Sequence, residues 1–170
     1  MKKLIITVLC VALSLGASGC ATYSNYGSPK DPVSFYYCTQ SSDHSESRTI
    51  IDVEPREALG HKDDPTYLLN LYLAGPISYQ FASPFPAGVS LQELTINNGV
   101  AEITLSNQFT QLSDYNITLA LACLVLTADS ILNVESVTIR AADALIYDSP
   151  SVTLSPEDFA FLTETTKLFP

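Results

Sequence analysis

Residues 94 to 105, LTINNGVAEITL, predict one β-hairpin and leave little freedom in how its two strands can pair. Apolar and polar residues alternate on both sides of Asn98-Gly99, a pattern typical of half-buried strands. Asn-Gly is a preferred two-residue hairpin turn because both of its positions adopt positive φ. The turn predicts two apolar cross-strand pairs, Ile96 with Ala101 and Leu94 with Ile103. A three-residue turn would instead place Leu94 opposite Glu102 and mix the two faces of the hairpin.

Two main helices are predicted, one before this hairpin and one after it. The first spans 64–76, where Asp64 can cap the N-terminus and Gly75 can take the left-handed conformation at the end. The second, 117–132, is apolar on nearly every side. Because it is short for a membrane span and contains Asp129, we expect a buried central helix.

The remaining elements complete a small α+β domain. Segments rich in β-branched and aromatic residues predict further strands at 33–39, 48–57 and 134–141, with the start of another at 144–147. A short capped helix is predicted over 155–166. The order β-β-α-β-β-α-β favours a single domain in which an antiparallel or mixed sheet packs with the two main helices.

The N-terminus predicts export and a lipid anchor. Residues 1–19 have two lysines, a short apolar run and small residues before Cys20, as in the signal peptide of a bacterial lipoprotein. In such proteins the cysteine becomes the new N-terminus and carries the lipid. The alternative is an ordinary cleaved signal peptide followed by an unrelated cysteine. We expect 20–30 to be a flexible tether, 31–148 the domain and 149–170 a C-terminal tail with the short helix.

Charge excludes one large class of partners. Loss of Lys2 and Lys3 with the signal peptide leaves 6 basic residues against 18 acidic ones, a net charge of −12. Such a chain repels phosphate backbones and anionic lipid surfaces, so nucleic-acid binding is not expected. Attachment to the extracytoplasmic face of the cell membrane would therefore depend on the lipid on Cys20.

Two cysteines remain in the mature chain, Cys38 and Cys123. An extracytoplasmic location permits a disulfide between them. Both lie in apolar surroundings, however, where buried free cysteine is common, and this favours two buried thiols.

No pattern in the sequence points to catalysis. Nucleophile elbows, phosphate-binding loops and zinc-binding motifs are absent from the sequence, so we predict no enzyme, no metal and no cofactor. His44 and His61 have acidic neighbours that could join a metal site, but both stretches are typical of solvated loops. Asp63 and Asp64 could be paired carboxylates, although helix capping already accounts for them.

Three blocks in this order resemble the GerMN domain of bacterial envelope lipoproteins, including sporulation and spore-germination proteins. They are LLNLYLAGP (68–76), FPAGVSLQELTINNGVAEITLSNQF (85–109) and LALACLVLTADSILNVESVTIRAADA (119–144), and the likeness covers about 31–148. The resemblance implies a non-catalytic domain that acts in assembly or interaction, with a fold related to small α/β modules that build rings in secretion-type assemblies. It names no ligand.

Two functions remain open from the sequence. The first is a membrane-anchored interaction module that contacts an envelope protein or a second copy of itself. The second is a lipoprotein that binds cell-wall fragments or another small ligand through the aromatic loop 77–88. The candidate contact residues are Tyr79, Phe81 and Phe85, for which packing inside the domain is the alternative.

Overall fold

The computed structural model describes residues 30–40 and 50–159. It contains seven strands, β1 (Pro32–Thr39), β2 (Ile51–Glu57), β3 (Phe81–Ala82), β4 (Leu91–Asn97), β5 (Val100–Leu105), β6 (Ser136–Ala141) and β7 (Val152–Leu154). The helices are α1 (Pro65–Leu73) and α2 (Asp114–Leu132), with 3₁₀ turns at Asn107–Gln111 and Pro156–Phe159. The α+β class and the predicted order of elements are confirmed, with β3 and β7 added as short strands. The predicted signal peptide, almost all of the tether, His44 and 160–166 lie outside the described residues.

The strands divide between two sheets. The first sheet has the order β2-β1-β3 and is antiparallel, and the second sheet has the order β4-β5-β6-β7. In the second sheet β5 and β6 are parallel, while the outer pairs are antiparallel. A parallel pair needs a long crossover connection, and α2 provides it here.

The hairpin has the predicted register. Ile96 lies opposite Ala101 and Leu94 opposite Ile103. Asn98 and Gly99 have φ values of 49° and 77°, as the two-residue turn requires. One irregularity lies further along β4, where a bulge shifts the register between Leu91 and Glu93.

Helix α1 begins and ends as its sequence predicts. The Asp64 carboxylate accepts a hydrogen bond of 2.9 Å from the backbone N–H of Tyr67, and Pro65 occupies the first helical position. After the helix, Gly75 has a φ of 95°, a conformation that favours glycine. The chain therefore turns sharply into the loop that follows.

Helix α2 is the centre of the hydrophobic core. Every residue from 120 to 128 is buried, and the helix packs against β1, β6, α1 and the last 3₁₀ turn. It is 19 residues long and its most apolar stretch has a mean hydropathy of 1.6, so by length and composition alone it could cross a membrane. The extensive burial confirms the expectation of a central helix inside the domain. It starts three residues earlier than predicted, at Asp114, and ends at Asn133 in the left-handed conformation.

The C-terminal part differs from the sequence prediction. No strand begins at 144–147; the segment makes only isolated bridges, and Tyr147 and Asp148 both have positive φ. The last strand is β7 instead, which pairs with β6. In the 3₁₀ turn that follows, the Asp158 carboxylate accepts hydrogen bonds from Ser155, and Phe159 is buried. Residues 149–159 are thus packed with the rest of the domain.

Candidate interaction surface

A buried carboxylate on β2 holds the loop that leaves α1. Glu54 is only 5% exposed and faces the same side of the first sheet as Phe35, its cross-strand partner. Its carboxylate accepts hydrogen bonds from the backbone N–H groups of Ile77 and Ser78, at 3.0 and 2.7 Å. We call residues 75–79 the anchored loop, because this contact fixes their backbone.

Arg56 completes the anchor. Its guanidinium donates to the Glu54 carboxylate at 3.2 Å and to the carbonyl oxygen of Gly75 at 3.1 Å. It also lies 5.8 Å from the centre of the Phe35 ring. A buried charge is tolerated only when it is paired and hydrogen-bonded, and here each charged group meets the other and the loop backbone. The pair therefore links β2 to both ends of the turn after α1.

The anchored loop presents two large apolar side chains to solvent. Ile77 is 77% exposed and Tyr79 is 80% exposed, while the Glu54 carboxylate holds the backbone N–H groups of Ile77 and Ser78. Fixing a backbone before binding reduces the entropy lost when a partner docks. The arrangement is suited to presenting Ile77 and Tyr79 as a small, rigid contact.

The three candidate aromatic residues do not form one surface. Of Tyr79, Phe81 and Phe85, only Tyr79 is largely exposed. Phe81 is half-buried because β3 pairs with β1, and its ring centre lies 6.4 Å from that of Tyr37. Phe85 is 8% exposed; its ring lies edge-on to Tyr72, 5.5 Å between centres. Phe85 therefore belongs to the core, which is the packing alternative that the sequence left open for these residues.

Sequence reasoning missed Glu54, Arg56 and Ile77. Glu54 and Arg56 are two residues apart, which places them on one face of a strand, but charged residues normally mark the solvent face. The loop after α1 is distant from β2 in the sequence, and only the folded chain brings the two together. No local pattern therefore distinguishes this buried pair from a solvated one.

A second polar network closes the open edge of β1. The backbone N–H of Tyr36 donates to the Thr127 hydroxyl at 2.9 Å, and the Tyr72 hydroxyl donates to the Tyr36 carbonyl at 3.0 Å. The Tyr37 hydroxyl donates to the Tyr72 carbonyl at 2.8 Å. Burial raises the pKa of both tyrosines, so they remain neutral donors. Side chains from α1 and α2 thus replace the strand that β1 lacks along this part of its edge.

Both cysteines of the described residues are free thiols, as the sequence favours. Cys123 is buried on α2, and Cys38 is half-buried on β1. A hydrogen bond between the two side chains lowers the pKa of Cys38 and, together with burial, raises that of Cys123. Cys38 is therefore the more acidic and the more accessible thiol of the pair.

Two of the acidic and histidine candidates, His61 and Asp64, have structural roles. The His61 ring stacks on the Tyr67 ring with 4.0 Å between centres, and Asp64 is the cap of α1. Over 30–40 and 50–159, no group of three or more His, Cys, Asp or Glu side chains lies close enough to hold a metal ion. A shallow depression of about 300 Å³ lies on the solvent face of the second sheet; its lining includes Glu93, Glu102 and Arg140.

The fold and these sites define a small α+β domain with an anchored loop. Residues 34–144, well over half of the 170-residue chain, match the model of the Germane family, described as sporulation and spore germination. The chain belongs to this family, and the resemblance to the GerMN domain is confirmed. No curated protein matches the sequence significantly.

Two solved structures are similar to the chain. A Clostridium perfringens protein provisionally classed as a lipoprotein is 18% identical, with a TM-score of 0.49, over 76% of this chain and 90% of that one. The tandem GerMN domains of the sporulation protein GerM from Bacillus subtilis are 21% identical, with a TM-score of 0.47, over 66% of this chain. The match spans only 39% of the GerM chain.

Proposed function

We propose that this chain is a non-catalytic lipoprotein, anchored to the extracytoplasmic face of the cell membrane by a lipid on Cys20. Its domain acts as an interaction or assembly module in the cell envelope, in sporulation or germination. The family supports the biological setting, and the N-terminal sequence supports the anchor. We further propose that a partner protein is bound through Ile77 and Tyr79.

The anchored loop carries this proposal. Exposed apolar side chains are common on protein surfaces and need no explanation when their backbone is free. Here a buried carboxylate and a buried guanidinium, both costly to place in a protein interior, hold the backbone directly behind two exposed apolar residues. Aromatic residues such as Tyr79 are enriched at the centres of protein interfaces.

A photocrosslinking residue in place of Tyr79 tests the contact in living cells. We expect it to yield a discrete crosslinked protein, and Ile77→Ser in the same chain should abolish that product. Tyr115 is a matched control, because it is an exposed tyrosine on a different part of the surface, at the start of α2. The same products from positions 79 and 115 would contradict the proposal.

The anchor is tested separately. Cys20→Ser should move the protein from the membrane fraction to the soluble fraction, because the lipid would have no attachment site. Cys10→Ser, a change inside the predicted signal peptide, should leave the protein in the membrane fraction. Retention of the Cys20→Ser protein in the membrane would refute the lipoprotein proposal.

Binding of a small cell-wall ligand through 77–88 is less well supported. A stacking platform for sugars or peptides needs several exposed rings, and this loop presents Tyr79 alone, since Phe81 and Phe85 turn inward. Saturable binding of muropeptides to the purified protein that is lost in Tyr79→Ala would nevertheless favour this function over the first.

A further inference from the structure

The outer edge of β4 is an open strand edge. Among residues 30–40 and 50–159, β4 is the first strand of the second sheet and pairs only with β5. Protein edges are commonly protected by lysine, by proline or by a bulge. Residues 91–97, LQELTIN, contain neither lysine nor proline, and the bulge lies at the beginning of the strand, before Glu93. The regular part of the edge, 93–97, is thus left without these protections.

The hairpin register shows which backbone groups point outward from this edge. A two-residue turn makes Asn97 and Val100 the hydrogen-bonded pair that closes the hairpin, and bonded and non-bonded pairs then alternate along it. Thr95 therefore bonds to β5, while the N–H and C=O groups of Leu94 and Ile96 point away from it. Within the part of the chain that the structure describes, these outward groups have no hydrogen-bond partner.

The edge is complementary to itself in one antiparallel register. A twofold axis at Thr95 places the outward groups of Leu94 opposite those of Ile96 in a second copy, so both residues make complete ladder pairs. The apolar side chains of this pair then meet on the inner face, and Thr95 meets its own equivalent on the solvent face. Cross-strand apolar pairs and Thr–Thr pairs both stabilise sheets.

Charge and pattern select this register over its neighbour. With the axis at Thr95, Glu93 faces Asn97 of the second copy and no acid faces an acid, which matters for a chain with such an excess of acidic residues. With the axis at Leu94, polar Gln92 would face Ile96 and the bulge would interrupt the pairing. Ile96 is 44% exposed, and pairing would cover it.

We propose that two copies of this chain associate by antiparallel pairing of β4, about a twofold axis at Thr95, and that their second sheets become one continuous sheet. This inference rests on the proposed function in one respect: it names a second copy as one partner of the interaction module. The surface is separate from the anchored loop, so either contact can fail without the other.

A cysteine at the axis tests the geometry in the full-length chain. Thr95 and its equivalent would form a non-hydrogen-bonded pair with Cα atoms about 4.5 Å apart, within the range that a disulfide spans. Oxidation of Thr95→Cys should join the two thiols, with transfer of two electrons to the added oxidant and loss of two protons. The product is a covalent dimer on a non-reducing gel.

Glu93→Cys is the matched control for this experiment. In the proposed register the two copies of position 93 are separated by four residues along the strand, about 13 Å, which is too far for a disulfide. We expect a dimer band for Thr95→Cys that is at least about fivefold stronger than for Glu93→Cys or for the unchanged protein. Equal crosslinking of positions 93 and 95, or none at 95, would overturn the proposed axis.

A charge at the axis tests association without a covalent bond. Thr95→Lys places two lysines directly opposite each other and should weaken dimerisation about fivefold or more in sedimentation measurements. Thr138→Lys is the control, because Thr95 and Thr138 both flank Glu102 but Thr138 is on β6, away from the edge. A monomer that fails to associate, yet still crosslinks its partner through position 79, would refute self-pairing and leave the proposed function intact.

Discussion

The buried pair of Glu54 and Arg56 allows the stability of the anchored loop to be predicted. In Glu54→Ala the guanidinium of Arg56 loses its carboxylate, and two backbone N–H groups lose their acceptor. Removing one partner of a buried ion pair typically costs about 3 to 5 kcal/mol. We expect a loss of that size in the free energy of unfolding, a large part of the roughly 5 to 15 kcal/mol that holds a domain folded.

Two further variants separate the charge from the hydrogen bonds. Glu54→Gln keeps an oxygen that can accept from Ile77 or Ser78 but removes the negative charge, so a smaller loss of about 2 kcal/mol is expected. Arg56→Met keeps much of the packing against Phe35 and leaves the carboxylate without its counter-ion. Removing both charges together leaves no unpaired ion in the interior. The double variant Glu54→Gln/Arg56→Met should therefore lose less free energy of unfolding than the two single variants lose together. We expect the difference to be about 1 to 3 kcal/mol.

Urea unfolding of the purified variants, followed by circular dichroism, measures these differences. Limited proteolysis adds a local measurement, because cleavage between Gly75 and Tyr79 should accelerate in Glu54→Ala before the domain unfolds. A loss below about 1 kcal/mol in Glu54→Ala, or strictly additive losses in the double variant, would show that the pair does not hold the loop.

Three smaller predictions concern the turn, the edge of β1 and the thiols. Gly99→Ala should destabilise the protein by about 1 kcal/mol in urea unfolding, because φ at this position is 77°. Thr127→Val should cost about 1 to 3 kcal/mol by leaving the N–H of Tyr36 without an acceptor, whereas Thr127→Ser should cost less; equal losses would contradict the role of the hydroxyl. Cys38 should react with iodoacetamide faster than Cys123 and at a lower pH than an ordinary thiol, since its pKa is lowered; peptide mass spectrometry would measure the order.

Local features of the fold could be predicted from the sequence. Asn98-Gly99 determines the hairpin register, and Asp64 and Gly75 determine the ends of α1, because each acts on residues close to it in the chain. The central position of α2 follows from its apolar composition on all sides.

The features that depend on distant residues could not be predicted in this way. β3 is two residues long and exists because β1 offers an edge, and Phe85 is buried because Tyr72 and Phe109 enclose it. The candidate surface likewise combines one feature that is visible in the local sequence with one that depends on distant residues. The aromatic loop sequence makes Tyr79 a candidate contact, but the role of Glu54 depends on a contact between β2 and a segment more than twenty residues later.

The position of β1 has a mechanical consequence for a chain held at its N-terminus. Tension on the proposed tether would enter the domain at Pro32, the first residue of β1, and act along that strand. β1 is the middle strand of its sheet, bonded to β2 on one side and to β3, Thr127 and Tyr72 on the other. Such a load shears many hydrogen bonds at once, whereas a load on an edge strand can peel them one by one. A proposed tether at this end would therefore pull on a central strand, which resists such a load better than an edge strand.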